Sequence, residues 1–121
     1  MPTIPFPPES ASQDIDVQAL AQKLSAGTDT LQLIDVREPW EVETAAIAGF
    51  ANLPLSQFAQ WETQIHSHLD AEVETIVMCH HGIRSAQMCQ WLREQGFTHA
   101  RNLVGGIDAY AALVDPSVPR Y

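Results

Sequence analysis

Residues 78–85 read MCHHGIRS. A single thiol, Cys79, is followed by two imidazoles, His80 and His81, then Gly82, Ile83, Arg84 and Ser85. The thiolate, not the thiol, is the nucleophile, and a free cysteine with a pKa of about 8.5 is only about 3% ionised at pH 7. A backbone that curls around the sulfur with its N–H groups inward favours the anion. Gly82 permits such a tight, concave turn. A helix starting at this point adds unpaired N–H donors and a partial positive charge. Arg84 adds fixed donors or a nearby positive field. Lowering the thiol pKa by about two units corresponds to roughly 2.7 kcal/mol. The same cradle suits an anion attached to, or attacked by, the sulfur. The stretch reads as a nucleophile seated in an anion nest.

The neighbouring side chains carry separate expectations. His80 and His81 are expected to face solvent while their backbone shapes the loop; a protonated imidazole adding positive potential is the second reading. These two polar residues also place Cys79 at the surface rather than in the core. Ser85 is expected to start or cap the helix. Arg84 either serves the sulfur or points outward to an acid. Cys89 falls beside Met88 and Leu92 and reads as core. A metal site on Cys79, His80 and His81 would need three consecutive residues to converge on one tetrahedral ion, and no C-x-x-C pair is present. Neither a metal nor an organic cofactor is therefore expected. His66, His68 and His99 are scattered and read as ordinary surface or structural residues.

The elements that must position this loop follow from pattern. TIVMC at 75–79 is the clearest strand and ends at the cysteine. A helix is expected from about Ser85 to Gln95, closed by Gly96. LQLIDV at 31–36 fits a buried strand that stops at Arg37, Glu38 and Pro39. Other strands are expected around 13–16, around 46–51 and at 100–104, and other helices at 17–26, 55–68 and 107–114. Strands and helices alternate over short connections, which implies α/β architecture with a mostly parallel sheet covered on both faces. Functional sites in such sheets lie beyond the C-terminal ends of the strands, where Cys79 falls.

The 121 residues suit one domain, divided into a proline-rich arm at 1–12, a folded unit at 13–114 and a loose tail at 115–121. A net charge of −9 argues against nucleic acid and against anionic membrane surfaces as partners. No apolar run approaches a bilayer span, and the first residues do not read as a signal peptide. A cytoplasmic setting is the expectation, and two cysteines make no disulfide framework.

Four segments together resemble single-domain rhodanese-like sulfurtransferases: LIDVREPWE at 33–41, IAGFANLPL at 47–55, MCHHGIRSA at 78–86 and NLVGGIDAY at 102–110. The resemblance implies a three-layer fold with a five-stranded, mostly parallel sheet flanked by helices on both faces. It implies a Cys79 persulfide as the sulfur carrier, with the loop from Cys79 to Arg84 cradling that sulfur through main-chain N–H groups. Asp35 and Arg37 match the family's D-x-R segment at the neighbouring strand end, where Asp35 would hold loop backbone or a basic side chain in place. Glu38 and Trp40 would form the nearby wall. One departure stands out: Ala45-Ala46-Ile47 replaces the usual glycine-histidine pair before isoleucine.

The implied function is transfer of a sulfane sulfur from a donor such as thiosulfate, through Cys79, to cyanide or an acceptor thiol. Cys79, Arg84 and Asp35 are the expected catalytic residues; His80, His81, Gly82, Ile83, Ser85 and Arg37 are expected to bind substrate. Partners are a small sulfur donor and a thiol or cyanide acceptor, with a protein acceptor also considered. The alternative is a persulfide carrier or protein-binding module with little thiosulfate turnover. A cysteine-dependent phosphatase or arsenate reductase fits less well, because only four residues separate Cys79 from Arg84. A ring of that size suits one sulfur atom better than a tetrahedral oxyanion.

Overall fold

The computed structural model describes residues 13–121, so the proline-rich arm expected at 1–12 lies outside the described residues. Five strands form one sheet: β1 (Asp14–Ile15), β2 (Leu31–Asp35), β3 (Ala51–Asn52), β4 (Glu74–Met78) and β5 (Ala100–Leu103). Their spatial order is β1-β5-β4-β2-β3, and every pairing is parallel. Parallel neighbours need crossovers. They are supplied by α1 (Val17–Ala26), α2 (Pro39–Thr44), the short α3 (Phe58–Trp61) and α4 (Ile65–His68) between β3 and β4, and α5 (Ile83–Glu94), while α6 (Gly106–Leu113) follows the last strand.

The period of two along β4 divides the core. Ile76 and Met78 face a cluster with Val17, Leu20, Ile107 and Tyr110. Val77 and Cys79 face the opposite cluster, with Trp61, Ile65, Met88 and Leu92. Helices α1 and α6 therefore cover one face, and α3, α4 and α5 the other, giving three layers around a central sheet. The alternation also aims the Cys79 side chain at the face that α5 covers.

Several boundaries depart from the sequence reading. Helix α2 was not anticipated: Pro39, taken only as a strand stop, is well placed at the start of a helix, where its missing N–H has no partner to lose. The expected strand at 46–51 is confined to Ala51–Asn52, because residues 45–50 turn so that Phe50 N bonds Ile47 O. The continuous helix expected at 55–68 is broken by 3-10 turns at Leu55–Gln57 and Glu62–Gln64. There the Trp61 indole donates to Pro54 O at 3.0 Å, and Phe58 and Trp61 pack edge-on against Trp91. Local packing outweighs helical period. Helix α5 begins two residues earlier than expected, at Ile83, with Gly82 as its left-handed cap at φ 100°.

The tail at 115–121, expected to be loose, folds back onto the domain. Val118 is buried, Arg120 pairs with Asp108, and the Tyr121 hydroxyl reaches Arg37 and Glu41. A buried valine and a bonded phenol supply contacts that composition alone could not reveal.

Candidate active site

The cysteine loop is shaped from two sides. The start of α6 donates to the loop's carbonyls: Ile107 N to Cys79 O at 3.0 Å and Asp108 N to His80 O at 3.1 Å. A side chain at Gly106 would collide with those carbonyls, so the approach requires glycine. Gly82 lies similarly close, with Gly105 N and Leu103 O 3.1 and 3.2 Å from where its Cβ would stand. With the carbonyls held outward, N–H groups are left facing the sulfur.

At the centre, Gly82 N lies 3.1 Å and Ser85 Oγ 3.3 Å from Cys79 Sγ. Burial pushes the thiol pKa up. The Ser85 hydroxyl and the N–H groups of Ser85, Gly82 and His81 more than offset it, and the thiol sits below its ordinary value. At Cys89 burial outweighs the opposing effect of the Arg93 side chain and pushes the thiol up to about 12.

The expected surface position of Cys79 is corrected: the residue is only 1% exposed. Its side chain turns inward under the loop, while the following histidines carry the chain outward. The sulfur forms the floor of the loop rather than part of the protein's outer surface.

Arg84 takes the outward course. Its Nη1 and Nη2 donate to Glu41 Oε1 and Oε2 at 2.7 and 2.9 Å. Arg84 first, against the opposing effect of burial, holds the Glu41 carboxyl down at about 2; Glu38 N–H and the Tyr121 hydroxyl add to this. The same pairing raises Arg84 further above its ordinary value.

Asp35 and Arg37 form a separate buried unit. Arg37 Nη2 lies 2.7 Å from Asp35 Oδ2, and its guanidinium also donates to Glu41 O, Ala45 O and the Tyr121 hydroxyl. Asp35 thus holds the Arg37 guanidinium. The pair braces the segments after β2 and has no direct bond to the sulfur.

His80 and His81 differ from each other. His81 is exposed, whereas His80 is half-buried in a stack between the rings of Tyr121 and His81, each centroid 3.9 Å away. Burial, then the neighbouring His81, lowers the His80 pKa and favours its neutral ring. His80, His81 and Asp108 bring ligand atoms within 4.8 Å of one another. Asp108 already pairs with Arg120.

Ile83 projects outward and is 72% exposed, so only its backbone belongs to the loop. The structure therefore gathers Cys79, Gly82, Ser85 and the main chain of His81 around the sulfur, with Arg84 beside them. Asn102 was not singled out: its Nδ2 donates to Gly82 O at 3.1 Å, while its Oδ1 faces the Ser85 hydroxyl. Glu41 and Tyr121 were also missed. The Glu38-to-Glu41 spacing was a readable signal, for Glu38 N donates to Glu41 Oε1 across the first turn of α2.

A family model described as Rhodanese-like domain matches residues 16–113. A chloroplastic rhodanese-like/PpiC domain-containing protein of Arabidopsis thaliana is 47% identical over 111 residues, covering 90% of this chain and 37% of that protein. A protein named Sulfurtransferase from Allochromatium vinosum is 34% identical over 98 residues, covering 81% of this chain and 87% of that one. The chain thus spans little more than a third of the Arabidopsis relative but most of the Allochromatium one. Among solved structures, a rhodanese-related protein from Thermoplasma volcanium superposes with a TM-score of 0.72 at 26% identity, covering 90% of this chain and 99% of that one. A human single-domain sulfurtransferase superposes with a TM-score of 0.70 at 25% identity, covering 84% and 96%. A cysteine loop at the C-terminal end of a central parallel strand, within a match that runs from the first helix to the last, places this chain in the rhodanese-like domain family.

Proposed function

We propose that the chain is a sulfurtransferase that carries a sulfane sulfur as a Cys79 persulfide. The observation supporting this most directly is the convergence of the Gly82 N–H and the Ser85 hydroxyl on a thiol whose pKa is lowered despite burial. The family membership and the sulfurtransferase names of relatives support the same reading.

With thiosulfate as donor, the Cys79 thiolate attacks the outer sulfur. A Cys79–sulfur bond forms, the sulfur–sulfite bond breaks with its electron pair, and sulfite leaves. The terminal sulfur of the persulfide then bears the negative charge, which loop N–H groups stabilise. In the second half, cyanide or an acceptor thiolate attacks that terminal sulfur and Cys79 leaves as thiolate. The cycle is ping-pong, and an already ionised cysteine needs no separate general base. Asp35, Arg37 and Arg84 act by holding the walls in place. Because Cys79 is 1% exposed, the loop must yield slightly to admit the donor.

Intact mass after mixing with thiosulfate tests the reading. A gain of about 32 Da, located on Cys79 and released by cyanide, is expected. No sulfur on Cys79 after exposure to thiosulfate or to an organic persulfide would overturn it.

A further inference from the structure

Three large apolar side chains stand exposed at the end of the sheet where the cysteine loop lies. Trp40 follows β2, Ile83 follows β4 and Val104 follows β5, and they are 61%, 72% and 48% exposed. These strands are consecutive in the sheet, in the order β5-β4-β2, so the three residues sit just beyond the ends of adjacent strands. Isolated exposed apolar residues are ordinary, whereas several around one site indicate contact with a partner. Trp40 is also braced. Its ring lies edge-on to Tyr121 at 6.0 Å, and Tyr121 stacks on His80, making an aromatic shelf that leads to the cysteine loop.

The cationic side chains here are already paired, which leaves stabilisation of negative charge at the sulfur to the loop N–H groups. Arg37 is bonded to Asp35, Arg84 to Glu41 and Arg120 to Asp108. Each cation is matched by a carboxylate, and the chain carries −9 overall. Glu43 is exposed one turn along α2 from Trp40, on the same side of the helix. A partner that places apolar groups on the rim and positive groups beyond it meets complementary surface.

We propose that Trp40, Ile83 and Val104 form the docking rim for a cysteine-bearing segment of a basic polypeptide, which receives the sulfur from Cys79. This rests on the persulfide reading above. In the transfer, the partner's thiolate attacks the terminal sulfur of the Cys79 persulfide and a new sulfur–sulfur bond forms. The bond to Cys79 breaks, and its electron pair stays on Cys79 as thiolate. No oxidant or reductant is required.

The test uses the full chain loaded with sulfur and three probes: the peptide Lys-Leu-Cys-Leu-Lys, its Glu-Leu-Cys-Leu-Glu counterpart, and cyanide. The basic peptide is expected to discharge Cys79 about tenfold faster than the acidic one at low salt, with the advantage shrinking as salt rises. V104S should slow discharge to the basic peptide severalfold and leave discharge to cyanide unchanged. Equal rates for the two peptides, or equal slowing with cyanide, would overturn the proposal. Binding of Lys-Leu-Ser-Leu-Lys, followed by NMR at the Trp40 indole and the Ile83 and Val104 methyls, judges the rim without sulfur transfer. Were Cys79 never to load, the function reading would fail, while shifts confined to those three residues would still support the docking rim and their absence would reject it.

Discussion

Glu41 grips Arg84 through two parallel bonds, so the cation that follows the cysteine loop is turned toward a carboxylate. The fork is a strong geometry for this pair. It also tempers the positive field that Arg84 places at the sulfur. Glu41→Gln keeps the shape and removes the negative charge. The variant is expected to lower the Cys79 pKa further and to reduce KM for thiosulfate severalfold. Its stability should fall by about 1–3 kcal/mol, as charged hydrogen bonds to Arg84 and Tyr121 are weakened. Initial-rate kinetics and denaturant titration read the two effects; an unchanged KM and thiol pKa would show that the fork does not tune the site.

Acid should weaken the fold through the same carboxylate. Glu41 is held at about 2 in the folded chain, well below an ordinary glutamate of about 4.3. A depressed carboxyl contributes stability that is complete above its unfolded pKa and lost as pH falls toward the folded one. The contribution is on the order of 2 kcal/mol, after discounting for the partly open Arg84 partner. Unfolding free energies measured from pH 6 to pH 2 should decline mainly below about pH 5, and less steeply in Glu41→Gln.

Ser85 has one hydroxyl proton and two acceptors, Cys79 Sγ and Asn102 Oδ1. When the sulfur is anionic, that proton serves it best. Ser85→Ala should therefore raise the thiol pKa by roughly one unit. It should slow persulfide discharge at every pH, because Cys79 departs as a thiolate and a more basic thiolate leaves more slowly. Loading well above the thiol pKa should barely change. Stopped-flow measurement of each half-reaction separates the outcomes, and equal slowing of both would argue for general distortion of the loop.

The two cysteines should differ sharply toward alkylation. Cys79 is lowered by its donors, and Cys89 is raised to about 12 by burial in the α5 core. At pH 6 a small haloacetamide should modify Cys79 selectively, as peptide mapping would show. Modification of Cys89 first would contradict the assignment.

Gly106→Ala tests the close seating of α6 on the cysteine loop. Its φ of 63° and the carbonyls of Cys79 and His80 leave no place for a Cβ. A loss of about 2–4 kcal/mol is expected, with a rise in the thiol pKa as the loop is displaced. Gly27→Ala is the control: it also has a positive φ but nothing within 4 Å, so it should lose less stability and leave the thiol unchanged.

Chain pattern alone carried the architecture a long way. Apolar runs at Leu31–Asp35 and Glu74–Met78, and the glycine after Ala26, mark elements whose signals lie within a few residues of each other. The cysteine loop was readable for the same reason, since a cysteine, a glycine and a helix start are adjacent in sequence. Helix α2 was missed although Pro39 and the Glu38–Glu41 spacing announced it. The broken 55–68 segment was less readable, because its path depends on Trp91, far along the chain, as well as on the adjacent Pro54 carbonyl.

What local order could not decide was the direction of each side chain at the sheet's end. Arg84 turns to Glu41 across 43 residues, and Tyr121 reaches Arg37 across 84. Asn102 meets Ser85 only because β5 lies beside β4. Residue types and spacing were enough to identify the fold and to single out the cysteine loop at the end of its central strand. The burial of that thiol, the partners of its arginine and the bracing of its loop follow from packing between distant segments, whose energies depend on three-dimensional proximity that a one-dimensional pattern does not encode.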